Sequence, residues 1–362
     1  MTEPFRIDVD GETLADLKAR LRRSRWPDGV TGQGGLPLAD LREIVRYWLE
    51  EFDWPERQRD LNTLPHFRTL AGGLRLHHVH VRCRLARATP LLLLHGWPGS
   101  FLEFLPLVAR LRSDFHLVIP SLPGYGFSDL PVTAGMSNAR VAELLAELMA
   151  ELGYQRFAVQ GGDWGAGIAT WLALKFPDRV MGIHLNYIPG SYAPFVDGAV
   201  SAEEEAFLQQ RARWSAEAGA YGHVQSTRPL TLGYGLSDSP AGLAAWIVEK
   251  FREWADPGST LVLSDVLTNV TLYWVTNTIA SSMRLYLESS RTPLALQAGQ
   301  QVPVPCGIAR FPHEMPFPPR SWIERGYDVV RWTSMPAGGH FAALEQPDLL
   351  ARDVAEFAGG LT

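Results

Sequence analysis

Residues Gly161-Gly162-Asp163-Trp164-Gly165 fit the pattern G-x-Nu-x-G, in which a nucleophile sits on a sharp turn between a strand and a helix. Aspartate occupies the nucleophile position. The backbone of such a turn packs so tightly that larger flanking side chains do not fit, which explains the glycines. The segment does not satisfy G-x-G-x-x-G, and no Gly-Lys-Ser/Thr follows it. A second interpretation stays open, in which Asp163 only caps the N-terminus of a helix.

A second glycine-rich loop, HGWPGS, follows the earlier apolar strand PLLLL. A loop in this place supplies one backbone N–H of an oxyanion hole, and the residue after the nucleophile supplies the other. We therefore assign the hole to the N–H groups of Trp97 and Trp164. His95, at the start of this loop, is expected to be structural, so the catalytic base must come later in the chain.

In the α/β-hydrolase fold, for which the G-x-Nu-x-G turn is typical, the nucleophile comes first along the chain, the acid second and the histidine last. His340 lies in PAGGHFAALEQPDLL, a glycine-rich loop that leads into a C-terminal helix, and is the expected base. Glu314 follows the strand CGIARF and is the expected orienting carboxylate, whereas Asp328 in YDVVRW is the weaker candidate. His313, next to Glu314, is expected to be structural.

The chemistry of aspartate narrows the reaction. Serine attacking an sp3 carbon would leave an ether that histidine-activated water cannot hydrolyse, whereas a carboxylate leaves an ester that it can. A carboxylate also needs no deprotonation at pH 7, so the histidine remains available to activate water. Two leaving groups fit this scheme, a halide or an epoxide oxygen.

An epoxide oxygen leaves as an alkoxide and needs a proton donor. A phenol with a pKa of about 10 stays protonated at neutral pH and can serve. Tyr221 in AGAYGHVQSTRP and Tyr286 in SSMRLYLESS are available. From the sequence alone, packing remains the commoner role for any one of the ten tyrosines.

The surrounding elements predict an α/β-hydrolase fold with a mostly parallel central sheet. From residue 90 the pattern alternates strand, loop and helix, which is typical of a parallel sheet covered on both faces. We expect an N-terminal extension of helices and a hairpin at Gly72-Gly73 over residues 1–85. The core would comprise 86–192 and 301–362, with a helical cap inserted at 193–300.

Composition excludes several classes of protein. The 46% hydrophobic and 20% charged residues are those of a globular protein, and the net charge of −6 without a basic run argues against nucleic acid or an anionic membrane as partner. The two cysteines, Cys83 and Cys306, form neither a disulfide framework nor a thiolate metal site. The N-terminus lacks a signal-peptide pattern, and we expect a cytoplasmic protein without cofactor or metal.

Several motifs together resemble the epoxide hydrolases of the microsomal and juvenile-hormone type. They are HGWPGS, SLPGYGFSD, GGDWGAGIAT, TRPLTLGYGLSDSPAGLAAWIVEKF, LTNVTLYW, ARFPHE and GGHFAALEQPDLL, and the N-terminal PFRIDVDGETLADLKARLRRSRWP is also similar. The resemblance implies Asp163 as nucleophile, Glu314 and His340 as the charge-relay pair, and Tyr221 and Tyr286 as proton donors. Animal microsomal members begin with a membrane anchor, whereas this chain begins at the equivalent of their soluble part, so we expect no membrane residence.

Three alternative interpretations of these residues remain open. A haloalkane dehalogenase would use the same Asp-His chemistry but would not need the paired cap tyrosines. A catalytically inactive α/β-hydrolase that acts as a small-molecule receptor would not use this chemistry. His77, His78 and His80 could suggest a metal site, but His78 and His80 share a strand face without a third ligand. We therefore interpret these histidines as a solvated strand face.

Overall fold

The computed structural model describes residues 1–27, 34–85 and 87–361. The strands are β1 (Thr2–Phe5), β2 (His66–Ala71), β3 (Leu74–Val81), β4 (Thr89–Leu94), β5 (Phe115–Pro120), β6 (Phe157–Gly161), β7 (Val180–Leu185), β8 (Val302–Arg310) and β9 (Tyr327–Ser334). They form one sheet in the order β1-β2-β3-β5-β4-β6-β7-β8-β9. The strands from β4 to β9 pair in parallel, and β1, β2 and β3 extend the sheet in antiparallel fashion. The predicted α/β-hydrolase fold with a mostly parallel sheet is confirmed.

The helices cover both faces of this sheet and fill the segment between β7 and β8. They are α1 (Gly11–Arg22), α2 (Leu38–Glu50), α3 (Trp54–Leu61), α4 (Leu105–Leu111), α5 (Asn138–Glu151), α6 (Asp163–Lys175), α7 (Ala202–Glu217), α8 (Ala220–Thr227), α9 (Pro229–Asp238), α10 (Pro240–Trp254), α11 (Leu263–Thr276), α12 (Ile279–Ser290), α13 (Arg320–Glu324), α14 (Ala342–Glu345) and α15 (Pro347–Gly359). A short 3-10 helix, Phe101–Phe104, precedes α4.

Helices α7 to α12 lie between β7 and β8 and are called the cap helices below. Their packing determines which of their residues reach the core. Helix α7 begins with a capping box, because the Ser201 hydroxyl accepts from the N–H of Glu204 and the Glu204 carboxylate accepts from the N–H of Ser201. Helix α12 packs against α8 and α9. It also contacts the core, since the hydroxyl of Ser289 accepts from the N–H of Asn138 at 3.1 Å.

The N-terminal elements follow the sequence prediction in part. The hairpin is confirmed, with β2 and β3 joined through Gly72 and Gly73, both at positive φ. Helices α1 and α2 lie where periodicity indicated, and α2 buries Trp48. Strand β1 was not predicted, because it is only four residues long and pairs as an edge strand. Helix α3 was not predicted either.

The prediction of a solvated histidine face on β3 is wrong. His77 and His78 are fully buried and His80 is 5% exposed. Strand β3 lies between β2 and β5, and its two faces are both covered, so alternation along the strand does not separate buried from exposed positions. His77 bonds to Ser121 at 2.8 Å and to His66 at 2.9 Å, and the pKa of His77 falls well below its usual range because of burial.

The C-terminal helix α15 is fixed to the sheet by Asp353. His184 Nε2 on β7 donates to its carboxylate at 2.9 Å, and the Arg331 guanidinium and the Thr333 hydroxyl on β9 donate to the other oxygen. Burial raises the pKa of Asp353, but these donors outweigh burial and hold the pKa at about 2. The helix that follows the His340 loop is thereby held in register with the core.

Candidate active site

Asp163 lies at the carboxyl end of β6, in the middle of the parallel part of the sheet, and is the first residue of α6. Its φ of +47° is in the left-handed region, which side chains other than glycine rarely adopt. The helix N-cap is Gly162, so the interpretation of Asp163 as the capping residue is wrong. The side chain faces away from the helix, and one carboxylate oxygen accepts from the N–H of Trp97 at 2.8 Å.

The glycines of the turn are required by close backbone contacts. A Cβ on Gly165 would lie 1.9 Å from the carbonyl oxygen of Leu94 at the end of β4, and a Cβ on Gly161 would lie 2.4 Å from the carbonyl oxygen of Gly165. Across the site, a Cβ on Gly96 would lie 2.1 Å from Oδ1 of Asp163. Both glycine-rich loops therefore approach each other around the carboxylate.

Two backbone N–H groups near Asp163 were assigned to an oxyanion hole from the sequence. The N–H of Trp97 already bonds to Oδ1. The N–H of Trp164 has no acceptor inside α6, because the helical ladder begins with the bond from Ala166 N to Gly162 O at 3.2 Å. The N-terminus of α6 also carries the positive end of the helix dipole, which favours negative charge here.

His340 and Glu314 lie on the other side of the carboxylate. Nδ1 of His340 donates to Oε1 of Glu314 at 2.8 Å, and Nε2 of His340 lies 3.5 Å from Oδ2 of Asp163. The side chain of Glu314 is completely buried and that of His340 is 3% exposed. The His340 backbone is fixed as well, since its N–H donates to the carbonyl of Trp254 at 2.9 Å.

Two opposing effects determine the protonation of His340. Burial lowers its pKa, but the two neighbouring carboxylates, Glu314 and Asp163, outweigh burial and raise the pKa well above the usual value. The two carboxylates therefore favour the protonated form of His340 in the resting site. Neutralising either carboxylate would lower the pKa of His340 and release the proton more readily.

Tyr221 on α8 and Tyr286 on α12 face the same pocket as Asp163 and Trp164. The Tyr221 ring stacks on the indole of Trp97 with centroids 5.6 Å apart, and the Tyr286 ring meets the indole of Trp164 edge-on at 4.6 Å. Burial and the charge of Asp163 raise the pKa of Tyr221, and burial likewise raises that of Tyr286. Both phenols therefore remain protonated at neutral pH.

A pocket of about 760 Å³ lies between the cap helices and the turn that carries Asp163. Besides the two tyrosines it is lined by Tyr187, Trp214 and His223, with small residues between them. A pocket of this volume holds a drug-sized molecule. Its floor carries the carboxylate of Asp163, and its cap side carries the two phenols.

The other residues considered from the sequence do not contact the carboxylate of Asp163. His95 is buried and accepts from the N–H of Leu122 at 3.1 Å, in agreement with a structural role. His313 is half exposed and lies 3.4 Å from Asp256, and Asp328 is exposed on β9. Glu314 is thus the carboxylate that reaches His340.

Sequence reasoning missed three residues at the site. The ring of Trp254 lies 5.1 Å from that of His340, and the ring of Tyr187 lies 5.7 Å from it. Glu103 borders a small cavity beside Asp163. Only Glu103 has a local sequence signal, because Ser100 and Glu103 have the spacing of a capping box.

The described residues contain neither a metal-binding cluster nor a membrane-spanning helix. Within residues 1–27, 34–85 and 87–361, no three His, Cys, Asp or Glu side chains are grouped so that they could hold a metal ion. No helix in those ranges is long and apolar enough to cross a membrane.

An aspartate on a strand-to-helix turn, faced by a histidine and a glutamate, defines a hydrolase of the α/β-hydrolase class. Residues 89–219 match the sequence profile of the alpha/beta hydrolase fold, and residues 2–104 match that of the epoxide hydrolase N terminus. The chain is 42% identical to a candidate epoxide hydrolase of Stigmatella aurantiaca, over 98% of this chain and 84% of that relative. It is 35% identical to juvenile hormone epoxide hydrolase 1 of Ctenocephalides felis, over 97% of this chain and 84% of the relative.

The solved structure of Aspergillus niger epoxide hydrolase superposes with a TM-score of 0.91 at 33% identity, covering 100% of this chain and 97% of that one. The chain therefore belongs to the epoxide hydrolase family, and the protein is an epoxide hydrolase. The resemblance to the microsomal and juvenile-hormone type is confirmed.

Proposed function

We propose that the protein opens epoxides through a covalent ester on Asp163 and then hydrolyses that ester to a vicinal diol. One observation carries this proposal. The carboxylate of Asp163 has one oxygen on the N–H of Trp97 at 2.8 Å and the other 3.5 Å from Nε2 of His340, while two phenols line the same pocket.

The first step forms the ester. A carboxylate oxygen of Asp163 attacks an epoxide carbon, the carbon–oxygen bond of the ring breaks, and the departing oxygen takes a proton from Tyr221 or Tyr286. The raised pKa of both phenols keeps the proton in place until the oxygen becomes strongly basic. His340 then returns a proton to the tyrosinate.

The second step hydrolyses the ester. Ester formation removes the charge of Asp163, so the pKa of His340 falls and its neutral form can take a proton from water. The water oxygen bonds to the carbonyl carbon of Asp163, and the N–H groups of Trp97 and Trp164 stabilise the oxyanion. The ester bond to the diol oxygen then breaks, and His340 supplies the proton that completes the diol.

The distinguishing experiment separates the two steps. In His340→Gln the ester is expected to form but to hydrolyse about 10²–10⁴ times more slowly, so one equivalent of adduct accumulates and is detected by intact-mass spectrometry. His313→Gln is the matched control, because His313 lies outside the pocket, and it is expected to show no adduct. Tight binding of epoxide by His340→Gln without an adduct would contradict the proposal.

A labelling experiment tests the nucleophile itself. With excess wild-type enzyme in heavy-oxygen water, the diol of a single turnover should be largely unlabelled, since its new oxygen comes from Asp163. The peptide that contains Asp163 should carry the label instead. A fully labelled first-turnover diol with an unlabelled peptide would mean direct attack by water, with Asp163 as a positioning group only.

A further inference from the structure

Asp163 borders two separate cavities. The large substrate pocket lies on its cap side. On the other side lies a cavity of about 20 Å³, whose walls include Gly162, Asn186, Glu103 and His340 as well as Asp163. Since a cavity needs roughly 10–15 Å³ to hold one water molecule, this inner cavity has room for a single water.

The inner cavity also has the polar partners that a single water requires. A buried water typically makes about three hydrogen bonds. His340, Asp163 and Glu103, which carry polar side chains, border the cavity from three different segments of the chain. A water held there would lie against the Asp163 carboxyl group and the imidazole that must take its proton.

Glu103 lies on the 3-10 helix Phe101–Phe104, between the inner cavity and a second pocket of about 350 Å³. This second pocket is lined by Arg57 and Asp265 among others, and Glu103 is half-buried between the two spaces. Gly99 makes room for its carboxyl group, because a Cβ on Gly99 would lie 1.3 Å from Oε1 of Glu103.

The protonation state of Glu103 decides whether its carboxyl group can donate a hydrogen bond as well as accept one. Burial and the charge of Asp163 raise its pKa, while His340 and the Ser100 N–H lower it, and the result is a pKa of about 8. Burial of the carboxyl group therefore favours the neutral form of Glu103. A neutral carboxyl group can accept a hydrogen bond from water with one oxygen and donate with the other.

We propose that Glu103 is a positioning residue that holds the hydrolytic water in the inner cavity, between the Asp163 ester and His340. This inference rests on the proposed ester mechanism. Glu103 forms and breaks no covalent bond: the water oxygen bonds to the Asp163 carbonyl carbon, and its proton goes to His340. Glu103 fixes the angle of attack, and its removal affects the second step only.

The first test replaces the carboxyl group. Glu103→Met keeps the length of the side chain but offers no oxygen, so we expect ester hydrolysis to slow about 10- to 100-fold, as for the loss of a buried hydrogen-bond partner. The rate of ester formation, measured by rapid quench and intact mass, should change less than 3-fold, and adduct should accumulate in the steady state. Glu103→Gln, which can also donate and accept, should recover most of the hydrolysis rate.

The matched control is Ser100→Ala. The Ser100 hydroxyl accepts from the N–H of Leu102 in the same 3-10 helix but does not border the inner cavity. If Glu103 acted only by stabilising this helix, Ser100→Ala would slow hydrolysis as Glu103→Met does. We expect Ser100→Ala to hydrolyse the ester at the wild-type rate.

A second variant moves the carboxyl group without replacing it. Gly99→Ala forces Oε1 of Glu103 out of its position, so hydrolysis should slow, but Gly99→Ala should have no further effect when combined with Glu103→Met. Additive effects of the two substitutions, or wild-type hydrolysis in a folded Glu103→Met, would overturn the inference. The ester mechanism is tested separately, by the adduct of His340→Gln and by the labelling of the Asp163 peptide, and neither result depends on Glu103.

Discussion

The positive φ of Asp163 makes a prediction about stability that is independent of turnover. Asp163→Gly and Asp163→Ala both remove the bond from the Trp97 N–H and the ion pair with His340. Neither variant can form an ester. They differ in whether a Cβ must be accommodated at a φ of +47°.

The expected difference is small but has a definite sign. An L-residue in the left-handed region costs roughly 1–2 kcal/mol, which glycine avoids. Glycine in turn makes the unfolded chain more flexible, at a cost of about 0.4–1 kcal/mol. The midpoints of these two ranges predict that Asp163→Gly is more stable than Asp163→Ala by about 0.8 kcal/mol.

Urea unfolding followed by circular dichroism measures this difference in the free energy of unfolding, if the free energy of both variants falls with urea concentration at the same slope. The control is Asn277, which ends α11 at a φ of +49° and does not border the substrate pocket. Asn277→Gly should likewise be more stable than Asn277→Ala. If Asp163→Ala is as stable as Asp163→Gly while the Asn277 pair differs, the turn at Asp163 is not strained and the reasoning is refuted.

Three further predictions concern the two tyrosines of the pocket, the C-terminal helix and the turn that carries Asp163. Replacing both Tyr221 and Tyr286 by phenylalanine should slow ester formation about 10²–10⁴-fold. The single variants should lose less, because either phenol can protonate the epoxide oxygen. Rapid-quench measurements check this, and a double variant as fast as wild type contradicts it. Asp353→Asn should lower the free energy of unfolding by about 1–3 kcal/mol at pH 7. In the folded protein the pKa of Asp353 is about 2, below the ordinary 3.8, so its stabilising effect is present above about pH 4 and is lost as the pH falls toward 2. Urea unfolding from pH 7 to pH 3 should therefore show a shrinking difference in the free energy of unfolding between wild type and Asp353→Asn. A constant difference would be contrary to expectation. Gly165→Ala should abolish folding, because its Cβ would meet a backbone oxygen at 1.9 Å; a variant with native circular dichroism and activity would disprove this.

The central part of the fold was predictable because its signals are local. The glycines at 161 and 165 are dictated by backbone contacts that any turn of this kind makes, so the sequence indicates both the turn and the strand before it. The alternation of strands and helices after residue 90 likewise indicates a parallel sheet. Strand β1 had no comparable signal, because it is short and is stabilised by its neighbour β2. Helix α3 has start signals in Asp53, Pro55 and Glu56, but its eight residues are too few to show a clear apolar periodicity.

The site was predictable only where chain order constrains it. The order of Asp163, Glu314 and His340 follows the turn and the C-terminal loop, and the structure brings these three side chains together. Tyr221 and Tyr286 meet only because α8 and α12 pack on each other over the core, which periodicity does not reveal. The error at His77 has the same origin, since the neighbours of β3 in the sheet decide its burial.

The indole rings at the site have a practical consequence. Of the twelve tryptophans, Trp254 contacts the ring of His340, Trp164 contacts Tyr286, and Trp97 stacks on Tyr221. Indole emission responds to nearby charge, and ester formation changes the charge next to all three rings. The intrinsic fluorescence of the unmodified protein should therefore change when the ester forms and return when it is hydrolysed, which would allow both steps to be followed in a stopped-flow instrument without a dye or a chromogenic substrate.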